Sequence, residues 1–391
     1  MAESRFFSAL ALVAVLVLAP LANAQDRLAI TGFQQSARGD DTVLRFAFDR
    51  PAAPRIFTLT EPYRLVMDLP PFGWTATPPE TADPVLSVRH GLFRSDVGRI
   101  VVEMSGPVAV QPHQTAEGLA LTLRPIGATA FARTAGWPED ARWEVGGPRT
   151  IGRAAADGDI VIAIDPGHGG IDPGAMAEGL VEKHIVLRFS SILANEINAI
   201  PGLTAVKTRT DDRFLPLRER IRLAREAGAH AMLSIHADSL AEGRADGVSV
   251  YTLSRFGTDQ AADAFAEREN RADVLAGVNL AGNEDDVTRL LIDLARRGTK
   301  AESVKLADAL IASLAEDVAL LDTRPHRRGN FFVLKAPDLP SVLVELGFLS
   351  SEKDRERLTD PIWQTRTARA LIRGLQVWFE TASPGFLTPR G

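Results

Sequence analysis

The 391-residue chain contains no cysteine. That excludes a disulfide framework, a thiolate nucleophile and every Cys-ligated zinc or iron–sulfur site. Lysine is scarce, with six residues and none before Lys183, which reads as compositional bias and not as function. Histidine is sparse enough, at seven residues, for each imidazole to be weighed singly. An excess of positive charge is also missing. Lys+Arg number 44 against 50 Asp+Glu, a net charge of −6 that argues against a dedicated nucleic-acid binder. After the first twenty residues no apolar run approaches the length of a transmembrane helix.

What is present begins with an export signal. Arg5 is followed by the apolar run Ala9 to Ala19 and by Ala22-Asn23-Ala24, an A-x-A cleavage site. Residues 1–24 are read as a secretory signal peptide, with a retained N-terminal anchor as the alternative; the run is short for a span. A mature protein without this segment is expected to be exported, to the periplasm, and to have no transmembrane segment. The 45% hydrophobic content is enough for a sizeable core, and the length suggests two or three domains.

Residues 25–125 alternate in short runs (Thr42–Phe48, Tyr63–Leu69, Arg99–Met104, Leu119–Leu123) separated by Gly, Pro and Asp turns, the pattern of an all-β sandwich. No chemistry is expected from it, because His90 and His113 have no carboxylate pair nearby in sequence. Residues 126–158 read as a linker, with at most a short ordered turn around Trp137 or Trp143. From Asp159 to about residue 385, strands alternate with helices, predicting an α/β domain with a helix-flanked sheet. One segment, 258–299, is long for a connection and rich in acids. Val287, Leu290, Leu291 and Leu294 within it fall at helical spacing, and a separate helix is predicted over 301–318.

Ligands bind at strand ends in open α/β sheets. The predicted strand 160–164 runs into Asp165-Pro166-Gly167-His168-Gly169-Gly170, another ends in His236-Ala237-Asp238, and the last ends in Glu345. Glu182 opens a helix between the first two. His168, Glu182 and His236 make a His2Glu set that suits a catalytic zinc with one position left open for water. Glu345, an acid on an apolar strand, is costly there unless it has a purpose, and it is the candidate proton acceptor. Asp165 and Asp238 are candidate partners for the ligand imidazoles, and the glycines are read as leaving room for a polymer. For the other five histidines a structural or solvated role is expected. Arg327 and Arg328 are candidate substrate contacts, with a solvated face as the equal alternative.

IDPGHGGIDPGA at 164–175, GLVEKHIVL at 179–187, SIHAD at 234–238 and PSVLVELGFLS at 340–350 resemble, in order, the zinc-dependent N-acetylmuramoyl-L-alanine amidases. The resemblance implies a mixed sheet sandwiched by helices (phosphorylase/hydrolase-like). It also implies Zn²⁺ on His168, Glu182 and His236, Glu345 as the catalytic acid–base, and hydrolysis of the lactyl–L-alanine amide of peptidoglycan. The β region resembles, by position and strand pattern, the AMIN-like peptidoglycan-binding domain that precedes such enzymes. The 258–299 insertion resembles the regulatory segment of division amidases, which implies autoinhibition released by an activator protein. Which acid would touch the metal is not readable from sequence. Ser351 stands where the family often has Asn. A zinc peptidase or deacylase of other cell-wall specificity, and a non-catalytic wall-binding module, are the competing readings.

Overall fold

A computed structural model of the chain describes residues 27–77, 80–94, 96–138, 151–152, 159–239, 245–278 and 286–382. The expected signal peptide, Trp143 and most of the expected linker lie outside the described residues.

The N-terminal unit is a sandwich, as its alternation requires: every second side chain of each strand must find an apolar face. Among the described residues nine strands build it: β1 (Leu28–Arg38), β2 (Asp41–Phe48), β3 (Arg55–Leu59), β4 (Arg64–Leu69), β5 (Phe72–Trp74), β6 (Val85–Arg94), β7 (Val97–Met104), β8 (Val108–Thr115) and β9 (Gly118–Pro125). One sheet runs β5-β1-β2-β9-β8 and the other β3-β4-β7-β6. Ile30, Leu44, Phe46, Leu65, Ile100, Leu121 and their neighbours fill the space between. The short helix α1 (Ala128–Thr134) follows and sends Phe131, fully buried, into this core. The residues read as linker therefore begin with a helix that belongs to the sandwich.

The second unit is built on a seven-stranded mixed sheet. Its strands are β10 (Ile151–Gly152), β11 (Ile160–Pro166), β14 (Leu203–Lys207), β15 (Ala231–His236), β16 (Ser249–Leu253), β17 (His326–Gly329) and β18 (Ser341–Glu345). They lie in the order β10-β14-β11-β15-β18-β16-β17. A two-stranded ribbon, β12 (Met176–Ala177) and β13 (Leu180–Val181), precedes α2 (Glu182–Asn198). The remaining helices are α3 (Leu217–Glu226), α4 (Gln260–Asn270), α5 (Ala272–Leu275), α6 (Asp286–Leu314), α7 (Glu352–Thr359) and α8 (Pro361–Thr381). Ile162, Ile164, Leu233, Ile235, Val250 and Val344 face the core covered by α2, α6 and α8. The alternate residues Ala163, Met232, Tyr251 and Leu343 face a second core that includes Phe265 of α4. Both faces of the sheet are thus buried, which is why its strands read as continuous apolar runs.

Two expectations change. Gly298 does not separate two helices; α6 is continuous across it. Ser351 is the N-cap of α7, its hydroxyl accepting from the Asp354 amide at 3.3 Å. Asn caps a helix as well as Ser does, so the substitution preserves that role.

The two units are not independent. The amide of Phe214 donates to the Leu92 carbonyl at 3.1 Å, and Gly91 lies so close to Gly170 that a Cβ there would sit 2.3 Å from its backbone. Phe57, Leu59, Val66, Phe93 and Val101 of the sandwich share one apolar cluster with Ile171, Phe214, Ala276 and Val278. At its edge Arg99, 1% exposed, pairs with Asp68 and donates to the carbonyls of Ala276 (3.2 Å) and Gly277 (2.7 Å). Arg64 likewise donates to the Val274 carbonyl. Both arginines satisfy carbonyls at the C-terminal end of α5, where helix carbonyls lack partners of their own. The sandwich, from which no chemistry is expected, nevertheless reaches the neighbourhood of the site described next: Arg89 on β6 lies 3.9 Å from Asp172.

Candidate metal centre

Parallel β11, β15 and antiparallel-edged β18 bring three motifs to one end of the sheet. Asp165 pairs with Ser234, and His236 with Glu345, in direct register. Past the end of β11 the backbone turns sharply, and His168 adopts φ +56°, a left-handed conformation unusual for a residue with a side chain. Two buried arginines hold it there. Arg209 donates to the carbonyls of Pro166 (3.0 Å) and Gly167 (2.7 Å), and Arg220 to those of Pro166 and His168 (both 2.7 Å). Neither arginine is marked by any motif in the sequence.

The rings of His168 and His236 converge with centroids 4.9 Å apart. Glu182 Oε1 lies 3.1 Å from His168 Nε2 and 3.2 Å from His236 Nδ1. Glu269 Oε2, from α4, lies 3.5 Å from the same two nitrogens. Among the described residues neither of these buried nitrogens has a hydrogen-bond partner. A tetrahedral ion at about 2.0–2.1 Å from each ligand atom sets ligand–ligand edges of roughly 3.4 Å, so these separations fit a metal at the centre. An imidazole and carboxylate donor set fits a borderline cation such as zinc.

The surroundings prepare these side chains. Glu182 begins α2, where the helix dipole favours a carboxylate. Its two oxygens accept from the amides of Ala237 (2.9 Å) and Ala175 (2.8 Å). Burial works against its charge, but His168 and His236 hold its pKa well below the usual range. Burial likewise opposes charging of His168, and is outweighed by Glu182, Asp172 and Glu269, which hold its pKa well above the ordinary value. Asp172 accepts from His168 Nδ1 at 2.8 Å, which directs Nε2 toward the centre. Despite its burial, Asp172 is drawn down to about 2, chiefly by the His168 charge.

The partners expected for the imidazoles are placed differently. Asp165 accepts from Thr208 Oγ1, Ser234 Oγ and Arg220, and Asp238 pairs with Arg268; among the described contacts neither bonds a ligand ring. Asp172, two residues before Gly174 in the same motif, takes that place. The glycines also do not leave room for a polymer. A Cβ on Gly167 would lie 2.5 Å from His236 Cε1, and one on Gly170 would lie 2.0 Å from the Leu92 carbonyl. They allow close packing around the ring and against the sandwich.

Glu345 is fully buried, and its Oε2 accepts from the Asp238 amide at 3.0 Å while Oε1 has no partner among the described residues. Burial, then the charges of Asp238 and Glu182, push its pKa well above the carboxylate range. His184 is exposed and 3.5 Å from Asp212, away from the centre. Arg327 is buried and paired with Asp259; Arg328 is exposed. The insertion does reach the site, but through α4 and Glu269. The side chains of Val287, Leu290, Leu291 and Leu294, which fall at helical spacing in the sequence, lie outside the described residues.

The chain is similar to known proteins along both units. The profile of the N-acetylmuramoyl-L-alanine amidase family matches residues 162–377, and that of the AMIN domain residues 33–123. The N-acetylmuramoyl-L-alanine amidase AmiA of Escherichia coli K12 is 36% identical over 228 residues, 57% of this chain and 77% of the relative. AmiC of Neisseria meningitidis serogroup B is 37% identical over 224 residues, 57% of this chain and 53% of the relative. Among solved structures, an amidase from Clostridium difficile 630 aligns with TM-score 0.43 at 22% identity, covering 58% of this chain and 100% of that one. AmiC2 of Nostoc punctiforme aligns with TM-score 0.42 at 25% identity, covering 56% and 97%. With a family profile matched over more than half its length, the chain belongs to the N-acetylmuramoyl-L-alanine amidases.

Proposed function

We propose that the protein is an exported zinc amidase that hydrolyses the amide between the lactyl group of N-acetylmuramic acid and L-alanine in peptidoglycan. The observation that carries this reading is the convergence of His168 Nε2, His236 Nδ1 and Glu182 Oε1 at 3.1–3.2 Å, with both nitrogens otherwise unpartnered. These three would hold the zinc. A bound zinc lowers the pKa of a water to about 7 and polarises a carbonyl. Glu345 takes the proton from the attacking water and returns it to the leaving alanine nitrogen. A buried carboxyl with a raised pKa and one free oxygen suits both directions of that transfer. The Asp238 amide fixes its orientation.

The proposed domains are a signal peptide over 1–24, a wall-binding sandwich over 25–125, a linker over 126–158 and a catalytic domain over 159–385. The described α1 moves the sandwich boundary to about residue 134. Glu269 Oε2 lies 3.5 Å from both imidazole nitrogens and would fill the position otherwise left for water, so the insertion 258–299 is read as autoinhibitory, and an activator protein is expected to draw α4 away.

Incubation of the purified chain with sacculi, with and without chelator, tests the reading. New N-terminal alanine without new reducing ends, lost on chelation and regained with zinc, is the expected result. Release of other termini would make it a peptidase, and binding without release would make it a wall-binding module. Glu345→Gln is expected to keep bound metal and lose turnover.

A further inference from the structure

Helix α4 carries an acid to a basic group at each of its ends. Glu269, in its last turn, meets the two imidazoles; Asp259, its N-cap, meets Arg327. Between them Phe265 rests on Tyr251 and Phe331, with ring centroids 5.4 and 5.0 Å apart. Arg327 sits on β17 opposite Tyr251, and Tyr251 sits opposite Leu343, two residues before Glu345. Paired residues and residues two apart share a sheet face, so Arg327, Tyr251 and Glu345 look out on the same side. Two strand spacings of about 4.8 Å and two residues of about 3.3 Å put Arg327 roughly 12 Å from Glu345 along that face.

Arg327 is 7% exposed, and its guanidinium lies 5.5 Å from the Tyr251 ring. Among the described residues its buried Nε has no hydrogen-bond partner and its one ion pair is with Asp259. The same Asp259 oxygen, Oδ1, also accepts from the Ala262 amide at 2.9 Å. A planar fork with five donors is thus only partly used. Such a fork is matched to a carboxylate held by two parallel bonds. Arg328, next along the strand, has an exposed side chain and takes no part.

We infer that Arg327 is a specificity-determining residue that binds a free carboxylate of the stem peptide, with Asp259 standing in for that carboxylate while α4 is in place. An extended peptide advances about 3.3–3.6 Å per residue, so 12 Å corresponds to a carboxylate about three residues beyond the scissile amide. Tyr251 and Phe331 form the apolar floor between. The inference rests on the reading of α4 as a plug over the metal centre. On that reading the plug covers the cleft at two charged points, and both are freed together when it leaves.

The test compares a muramyl tripeptide bearing a free carboxylate on its third residue with the same compound amidated there. The full chain, Glu269→Gln, and Arg327→Gln and Arg327→Lys in both backgrounds are assayed for KM and kcat separately. The parent chains are expected to favour the free acid by about tenfold to a hundredfold, chiefly through KM, the range of one charge-assisted hydrogen-bonded contact. Arg327→Gln is expected to bring the two substrates to parity, and Arg327→Lys to retain part of the preference. A preference that survives in Arg327→Gln, or none in the parent chains, overturns the inference. Calorimetric titration of Glu269→Gln, alone and with Arg327→Lys, with the released tripeptide, acid and amide, gives the same comparison without turnover and does not depend on Arg327→Gln folding. If Glu269→Gln fails to raise turnover while the acid preference persists, the plug reading falls and the subsite stands.

Discussion

Arg99→Ala probes the junction between the sandwich and the insertion. The guanidinium is 1% exposed, its Asp68 partner 11%, with contacts of 2.6 and 2.8 Å. Removing one member of a buried pair leaves the other uncompensated, at a cost of about 3–5 kcal/mol. Loss of the stacking on Phe93, 3.5 Å from the ring centroid, adds about 1 kcal/mol. At about 2–4 °C per kcal/mol for a unit of 150–250 residues, the melting temperature should fall by roughly 10 °C or more. Differential scanning calorimetry measures it. The carbonyls of Ala276 and Gly277 lose their donors in the same variant, so amide exchange over 271–278 should accelerate, and basal turnover should rise if Glu269 is released with that segment. A melting temperature within about 2 °C of the parent would refute the reasoning, since a buried pair cannot be broken at no cost.

Three further outcomes are expected. Gly167→Ala should displace the His236 ring, because its Cβ would lie 2.5 Å from Cε1; bound metal, read by elemental analysis, should drop while the fold persists. Asp172→Ala should weaken metal affinity about 10- to 100-fold in competition with a chelator, as expected when a ligand histidine loses its orienting carboxylate. Asp273 is pushed up to about 6 by burial, against the pull of the Leu217 amide and the charges of Arg220 and Arg218. An acid whose folded pKa is raised binds more protons folded than unfolded, so stability should decline as pH rises from about 4 to 6, by up to about 3 kcal/mol. Urea melts of Asp273→Asn should lack that slope.

The candidate site was legible because its members lie at element ends with a clear signal: His168 just past an apolar strand, His236 and Glu345 at the ends of two others, and Glu182 at a helix start. The structure brings these together in adjacent registers. The insertion was legible as an anomalous, acid-rich length of chain. Its stripe at 287–294 was the stronger periodic signal, yet Glu269, on a short polar helix, is the residue at the centre. Nothing local marks Glu269, since its role comes from where Phe265 seats the helix on the sheet. Arg209 and Arg220 were unreadable for the same reason: the loop carbonyls of Pro166, Gly167 and His168 that they hold lie more than forty residues away. The β6 edge was missed because contact between domains leaves no period in a sequence.

The apolar cluster joining Phe57, Val66 and Phe93 to Ile171, Phe214 and Val278 bears on how the protein can be divided. A cut in the linker does not pass between two finished cores. Each half would carry an uncovered apolar face, the kind of patch that drives self-association in isolated fragments. Separately expressed halves should therefore aggregate more readily than the whole, and co-expression of the two should restore solubility.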